Sequence, residues 1–295
     1  MKLIYIMGYG RSGSTLLDIL LGENKQTFSV GGLSNYHLWL EQNLKCACNQ
    51  RIKECSFWSQ INDKVSFSEE DVRIVKKYES LYSLFSLAMF RNSKNLKKYC
   101  ISNQKLLSAI SEHSNKDIIV DSSKTSRDCL SRPIMLLKKC KINLDCIFLV
   151  RDPRGVVWSA MKKHGSPERE RRDFRFTRFI RTLIAWNIIN YLTIFINKFF
   201  IKKNLFIRYE DFCEDTVGTL HLIEEFSEID LSQVIFLINN NMPINIRHNL
   251  GGNRLRFSSS INSIKFDQTW KNEMPQSYQI IVKIFSYPLM KRFGF

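Results

Sequence analysis

The sequence of 295 residues lacks a secretory signal pattern: a single lysine leads directly into an apolar run with no small-residue cleavage site after it. It lacks a clean apolar run long enough to cross a membrane. The longest stretch, residues 183–201, is interrupted by Asn187, Asn190 and Asn197, so a buried or half-buried helix is expected there rather than a membrane span. No internal repeat, low-complexity tract or linker appears, which leaves one domain over 1–295. Acidic residues are few, 28 against 44 Lys+Arg, giving a formal charge of +16. Such a balance favours nucleic acid, an anionic membrane surface or an anionic small molecule. The usual basic-plus-aromatic modules are missing, so no nucleic-acid partner is expected. Among the 8 cysteines, five are scattered singly, and Cys140 and Cys146 lie in apolar runs where a free thiol behaves as a small buried hydrophobe. An apolar fraction of 44% allows an ordinary core. Together these features suggest a soluble, cytoplasmic protein of unknown oligomeric state.

A further absence lies near the start. An apolar run (residues 3–7) is followed by a loop with Gly8, Gly10 and Gly13, and then by an apolar run of helical character (16–21). Strand, glycine loop and helix make a phosphate cradle, because main-chain N–H groups converge and the helix N-terminus adds partial positive charge. Against the nucleotide-loop pattern G-x-x-x-x-G-K-[ST], Gly8, Gly13 and Thr15 fit, but Ser14 stands where the lysine belongs. The nearest cation is Arg11. The loop therefore suits a phosphate group without a magnesium-bound nucleoside triphosphate; an ordinary glycine turn is the alternative.

Strand-like and helix-like segments alternate along the rest of the chain. A second strand is expected at 27–30, ending at Gly31-Gly32, then a helical, aromatic-rich piece at 33–44. Cys46, Cys48 and Cys55 are one ligand short of a tetrahedral zinc set. His37 could supply the fourth, but nothing in the spacing demands it, and no metal is expected. Helices are expected at 68–91, opened by Ser68 and an acidic first turn, and at 95–113. They form a helical insertion over about 63–113. A strand at 117–120 runs into Asp121–Lys124, with a helix at 127–140 after it. The run 144–150, broken only by Asp145, suits a parallel strand buried on both faces. Arg151 to Gly155 lead into a helix from 156. A long helix (177–200), a strand (204–208) and Tyr209 follow. This alternation argues for an α/β fold with a parallel sheet. Ligands of such sheets sit at the carboxyl ends of the strands, where Arg11, Asp121 to Lys124, Arg151 and Tyr209 all fall.

At this point the chain resembles the sulfotransferases that use 3′-phosphoadenosine 5′-phosphosulfate. GYGRSGSTLL resembles their 5′-phosphosulfate loop. IFLVRDPRGVVWSAMKKHG resembles their 3′-phosphate motif, in which an arginine ending a strand and a serine eight residues later grip the phosphate; here these are Arg151 and Ser159. VDSSK, IRYEDF, HNLGGNRLRF and FDQTW continue the resemblance, and CACNQRIKECSFW is similar to a segment of the bacterial branch. It covers most of the chain, more loosely over 63–113 and after 271. It implies a three-layer fold, a central parallel sheet flanked by helices, related to the phosphate-loop nucleotide hydrolases. It implies that Ser12, Gly13, Ser14 and Thr15 hold the 5′-phosphate, and that Arg11 stands near the bridging oxygen. Tyr209 would lie by the adenine, with Gly252, Asn253 and Arg256 over the 3′-phosphate.

Charge supports two grips. A phosphomonoester carries roughly −1.5 to −2 charges at neutral pH. An arginine can meet it with a bidentate pair of bonds, each contributing about 1.5–3 kcal/mol. A nucleoside triphosphate needs only one such grip, which counts against a phosphate-loop kinase. A sulfuryl group carries less charge than a γ-phosphate, so neither lysine nor magnesium is required. The catalytic base is open. The glutamate that many bacterial relatives carry after the second strand is replaced by Gly31-Gly32. Asp121, His37 and His164 are candidates, although Asp121 could equally cap a helix or pair with Lys124. Lys124 suits stabilisation of the leaving group. His248 suits either phosphate positioning or a structural role. A member of the same fold that binds nucleotide without turnover is the alternative. The acceptor would be a hydroxyl or amine on a small molecule or polysaccharide, and the basic stretch 162–181 could face an anionic one.

Overall fold

Alternation along two strands sets the layers. In β1 (Lys2–Met7), Leu3, Tyr5 and Met7 enter one core cluster and Ile4 and Ile6 the other. In β4 (Leu144–Val150) all 7 residues are buried; Cys146, Phe148 and Val150 face the first cluster, Ile147 and Leu149 the second. With apolar side chains on both faces, the sheet must be covered on both. The computed structural model describes residues 1–65, 67–86, 93–162 and 172–295. With β2 (Thr27–Gly31), β3 (Ile118–Asp121) and β5 (Asn204–Arg208), the strands form a five-stranded sheet in the order β2-β3-β1-β4-β5, every pair parallel. This is the three-layer α/β arrangement expected. Its order reverses between β1 and β4, so the loops after those strands open into one crevice.

The helices, in chain order, are α1 (Ser14–Gly22), α2 (Tyr36–Glu41), α3 (Trp58–Lys64), α4 (Glu69–Glu79), α5 (Leu81–Ser86), α6 (Lys94–Ser114), α7 (Arg132–Ile134), α8 (Pro153–Met161), α9 (Arg172–Phe199), α10 (Tyr209–Glu214), α11 (Thr216–Ser227), α12 (Ser232–Asn239), α13 (Trp270–Glu273) and α14 (Gln276–Phe293). A short antiparallel pair, β6 (Ile244–Asn245) and β7 (Ser260–Ile261), was not legible in the sequence. α3 to α6 make the insertion helical where it is described. α4 opens with the Ser68–Asp71 capping box.

Several expectations need correction. The helix expected at 68–91 is divided at Ser80, which is extended; residues 87–92 lie outside the described ones. The helix expected at 127–140 begins only near Arg132, because Pro133 fits the first turn of a helix but not its interior; it continues as a wider turn to Lys139. Asp145 is buried in β4 because Lys2 (2.6 Å) and Lys203 (3.0 Å) neutralise it. Cys140 is not free: it is disulfide-bonded to Cys100, joining α6 to the turn before β4, while Cys146 stays free and buried. The segment Phe176–Phe199 is, among the described residues, the one helix long and apolar enough to cross a membrane. Its Phe179 and Leu183 pack with Val157, Met161, Trp270 and Val282.

Candidate active site

The loop between β1 and α1 is built from left-handed residues. Gly8 (φ 118°), Arg11 (φ 71°) and Gly13 (φ 89°) turn the chain sharply between β1 and α1, the kind of backbone from which anion-binding loops are made. For a non-glycine such as Arg11 this backbone costs about 1 kcal/mol or more, which the surroundings must hold in place. Gly13 has a second reason: a Cβ there would come within 2.4 Å of the Tyr209 ring. The Ser12 hydroxyl donates to the Tyr9 carbonyl (2.9 Å), which closes the loop and turns that side chain away from the cavity wall.

The segment after β3 laces onto this loop. Lys124 N–H donates to the Ile6 carbonyl and Thr125 N–H to the Gly8 carbonyl, while Gly8 N–H donates to Thr125 Oγ1 at 2.9 Å. Lys124 itself is left-handed (φ 69°). Burial pulls its ammonium below the usual lysine range; Arg11 adds to this and the Asp18 carboxylate opposes it.

The second wall comes from the loop after β4. Asp152 caps α8 by accepting from Arg154 N–H (2.7 Å), with Pro153 in the first turn. The Arg151 guanidinium folds back over this helix start. A Cβ on residue 155 would lie 2.8 Å from Arg151 Nε, so any larger residue there would shift the Arg151 side chain. Arg151 sits 4.5 Å over the Tyr209 ring and donates to the Arg11 carbonyl (3.3 Å), the Asp267 carbonyl (2.6 Å) and the Asp267 carboxylate (3.1 Å). Burial raises the Asp267 carboxyl, but hydrogen bonds from Thr269 and Arg151 more than offset this, and it stays below the usual range.

Both walls face one cavity of about 660 Å³. Arg11, Gly13, Ser14 and Thr15 from the first wall and Arg151, Ser159 and Tyr209 from the second line it, and Lys124, Gly252 and Asn253 also reach it. Asn253 N–H donates to Thr15 Oγ1 (3.0 Å), which fixes that loop above the phosphate cradle. Sequence reasoning missed Lys265 and Asp267 on the cavity wall. Asp267 lies in FDQTW, where an acid among the matched residues was the available signal.

Besides Ser12, four candidates are not brought into the cavity. Asp121 is fully buried and accepts from Leu33 N–H (3.2 Å), Ser123 N–H (2.8 Å) and Arg132 Nε (3.3 Å); its cationic partner is Arg132, not Lys124. His37 is buried, and burial together with Lys76 and Arg132 lowers it to about 4. Arg256 lies between the Trp39 (4.8 Å) and Phe257 (4.3 Å) rings, with Nη2 on the Lys45 carbonyl (3.4 Å). His248 instead joins Cys46, Cys48 and Cys55, the place allotted to His37. His164 and residues 163–171 of the basic stretch lie outside the described residues. Of its described members, Lys162 is paired with Glu273 at 2.5 Å. Among the described residues, Asp267 is the one carboxylate on the cavity wall and no histidine lines it.

Similarity to known proteins bears on what this cavity serves. The structure is similar to the sulfotransferase domain from the curacin biosynthetic pathway, at 19% identity over 98% of this chain and 97% of that one, with a TM-score of 0.51. It is also similar to the sulfotransferase domain of the Synechococcus PCC 7002 olefin synthase (16% identity, 97% and 95% coverage, TM-score 0.47). A sulfotransferase from Mycobacterium tuberculosis H37Rv matches at 13% identity, over 80% of this chain and 70% of that chain, with a TM-score of 0.47. At these identities the first likeness speaks for the fold alone. No curated protein matches in sequence. The sequence model of the sulfotransferase family, however, matches residues 4–233, a span that holds the glycine loop, the segment after β3, Arg151, Ser159 and Tyr209, and so the chain belongs to the sulfotransferase family.

Proposed function

We propose that this protein transfers a sulfuryl group from 3′-phosphoadenosine 5′-phosphosulfate to a hydroxyl or amine. The observation that carries this is that one cavity is lined both by the left-handed loop before α1 and by Arg151, after β4, with Ser159 on α8. A nucleotide with phosphates on both its 3′ and 5′ positions is the ligand that uses both. Tyr209, which the family resemblance puts beside the adenine, lines the same cavity.

Within this reading Gly13, Ser14 and Thr15 receive the 5′-phosphate, and Arg151 and Ser159 the 3′-phosphate. Arg11 and Lys124 meet the charge that develops on the phosphate oxygen as the S–O bond breaks. The acceptor's oxygen or nitrogen attacks sulfur in line, and the bond from sulfur to the phosphate oxygen breaks. The acceptor's proton passes to water, since among the described residues no histidine lines the cavity and its one carboxylate, Asp267, is paired with Arg151. Lys124, its pKa depressed by burial, stabilises the departing phosphate as an ammonium. The acceptor class is an anionic carbohydrate or small molecule, in keeping with the charge of +16. The test is transfer of labelled sulfate from this donor into a panel of carbohydrate, lipid and phenolic acceptors. Labelled product on any acceptor supports the reading. Nucleotide binding without transfer to any of them would favour a binding member of the fold without turnover.

A further inference from the structure

Cys46, Cys48, Cys55 and His248 converge although the histidine is some 200 positions away in sequence. Their ligand atoms all lie within 4.8 Å of one another. Cys55 Sγ is 3.2 Å and Cys46 Sγ 3.9 Å from His248 Nδ1, and Cys48 Sγ is 3.5 Å from Cys55 Sγ. A tetrahedral zinc ion with bonds of about 2.3 Å to sulfur and about 2.0–2.1 Å to nitrogen sets its ligands about 3.8 Å (S to S) and about 3.5 Å (S to N) apart. The observed distances straddle those edges.

Main-chain N–H groups two residues on hydrogen-bond each sulfur: Cys48 to Cys46, Gln50 to Cys48, and Phe57, joined by Trp58, to Cys55. The imidazole is held from both sides. Its ring stacks on Phe57 (centroids 5.3 Å apart, 16° between planes), and the Trp58 indole N–H donates to its carbonyl at 2.7 Å. Three thiolates, one neutral imidazole and a divalent ion sum to one negative charge. The Arg256 guanidinium, buried with Nε unpartnered, stands close enough to feel the charge of Cys46.

We propose that Cys46, Cys48, Cys55 and His248 bind one Zn²⁺ in a closed tetrahedral site. Four protein ligands leave no open position, so the ion is structural and takes no part in transfer. It ties the loop between α2 and α3 to the loop before Asn253. That second loop also bonds to the sheet edge and to α1: Asn249 carbonyl accepts from Ala47 N–H, Asn249 Nδ2 donates to Asp18 (2.6 Å), and Leu250 pairs with Val30 and Gly32. A few residues later the same loop passes over Thr15. The zinc thus holds in place the segment that covers the phosphate cradle, and Arg256 acts as its charge partner rather than as a phosphate ligand.

The site stands whether or not the sulfuryl-transfer reading holds, because its test reads metal and not product. The full chain, produced with zinc in the medium and purified under reducing conditions, is analysed by elemental mass spectrometry. About one zinc per chain surviving gel filtration is expected, with cobalt exchange giving the visible absorption of a tetrahedral thiolate site. Removing zinc with a mercurial and chelator is expected to lower the melting temperature and expose residues 246–253 to protease. Cys48→Ser, at the half-exposed ligand, is expected to reduce zinc retention at least tenfold. Wild-type protein that is folded yet holds less than a tenth of an equivalent of zinc and gives no cobalt spectrum would overturn the proposal. A Cys48–Cys55 disulfide in that protein would do the same.

Discussion

Arg151 donates to both the carbonyl (2.6 Å) and the carboxylate (3.1 Å) of Asp267 while lying over the Tyr209 ring. A carboxylate therefore sits where the phosphate of the proposed donor would compete for the same guanidinium. Replacing Asp267 by Asn keeps a carbonyl oxygen for Arg151 and removes the negative charge. Binding of adenosine 3′,5′-bisphosphate by calorimetry is expected to tighten by roughly 3- to 10-fold, the scale of about 1 kcal/mol. Weaker binding by Asp267→Asn would mean that the carboxylate orients Arg151 instead of opposing the ligand.

Lys124 is placed to act on a developing charge more than on a resting one. Lys124→Met is expected to cost 100-fold or more in transfer, roughly 3 kcal/mol. Affinity for the bisphosphate should change by less than about 10-fold. Equal losses in both would assign Lys124 to ground-state binding.

The fold was largely legible in the sequence, and the site partly so, for separable reasons. β1 and β4 declare themselves because a strand covered on both faces must be apolar at nearly every position, and the glycines around Arg11 because left-handed backbone is costly for other residues. Arg151 and Ser159 could be singled out because they lie close in sequence, just after β4 and on α8, and both line the cavity. Asp121 was misassigned because a strand end facing the crevice does not reveal that its side chain turns back to Arg132, eleven residues on. Arg256 was misplaced, and the choice between phosphate positioning and a structural role for His248 stayed open, for the opposite reason: their partners, Lys45 and Cys55, lie about 200 residues away, beyond any local pattern. The Cys100–Cys140 bond joins elements that no spacing relates.

Arg132 holds two buried carboxylates. It is ion-paired with Glu79 and with Asp121, and also donates to Asn103 (3.1 Å). Removing the cation leaves Glu79 and Asp121 buried without it. Arg132→Met is expected to lower unfolding stability by about 3–5 kcal/mol in denaturant titrations. The double variant with Glu79→Gln should recover part of this. A single variant within about 0.5 kcal/mol of wild type would contradict the assignment.

Asp18 makes stability depend on pH. Burial raises its carboxyl to about 7, against hydrogen bonds from Ser29 and Asn249 that lower it, and with a raising contribution from Asp121. Its folded pKa is above the unfolded one, so the folded state binds the proton more tightly. The associated stability is complete below about pH 4 and is lost as pH rises through about 7, up to a few kcal/mol. Asp18→Asn should flatten this fall between about pH 4 and 7 in melting curves. An unchanged slope would place the titration elsewhere.

The central claim is that two phosphate grips share one cavity, and calorimetric binding of adenosine 3′,5′-bisphosphate without magnesium tests it most directly. Wild-type protein should bind it, ATP should bind far more weakly, and Arg151→Ala should lose roughly 100-fold in affinity while keeping its fold, the value of two charge-assisted bonds. Equal binding of ATP and the bisphosphate, or normal binding by Arg151→Ala, would contradict the account.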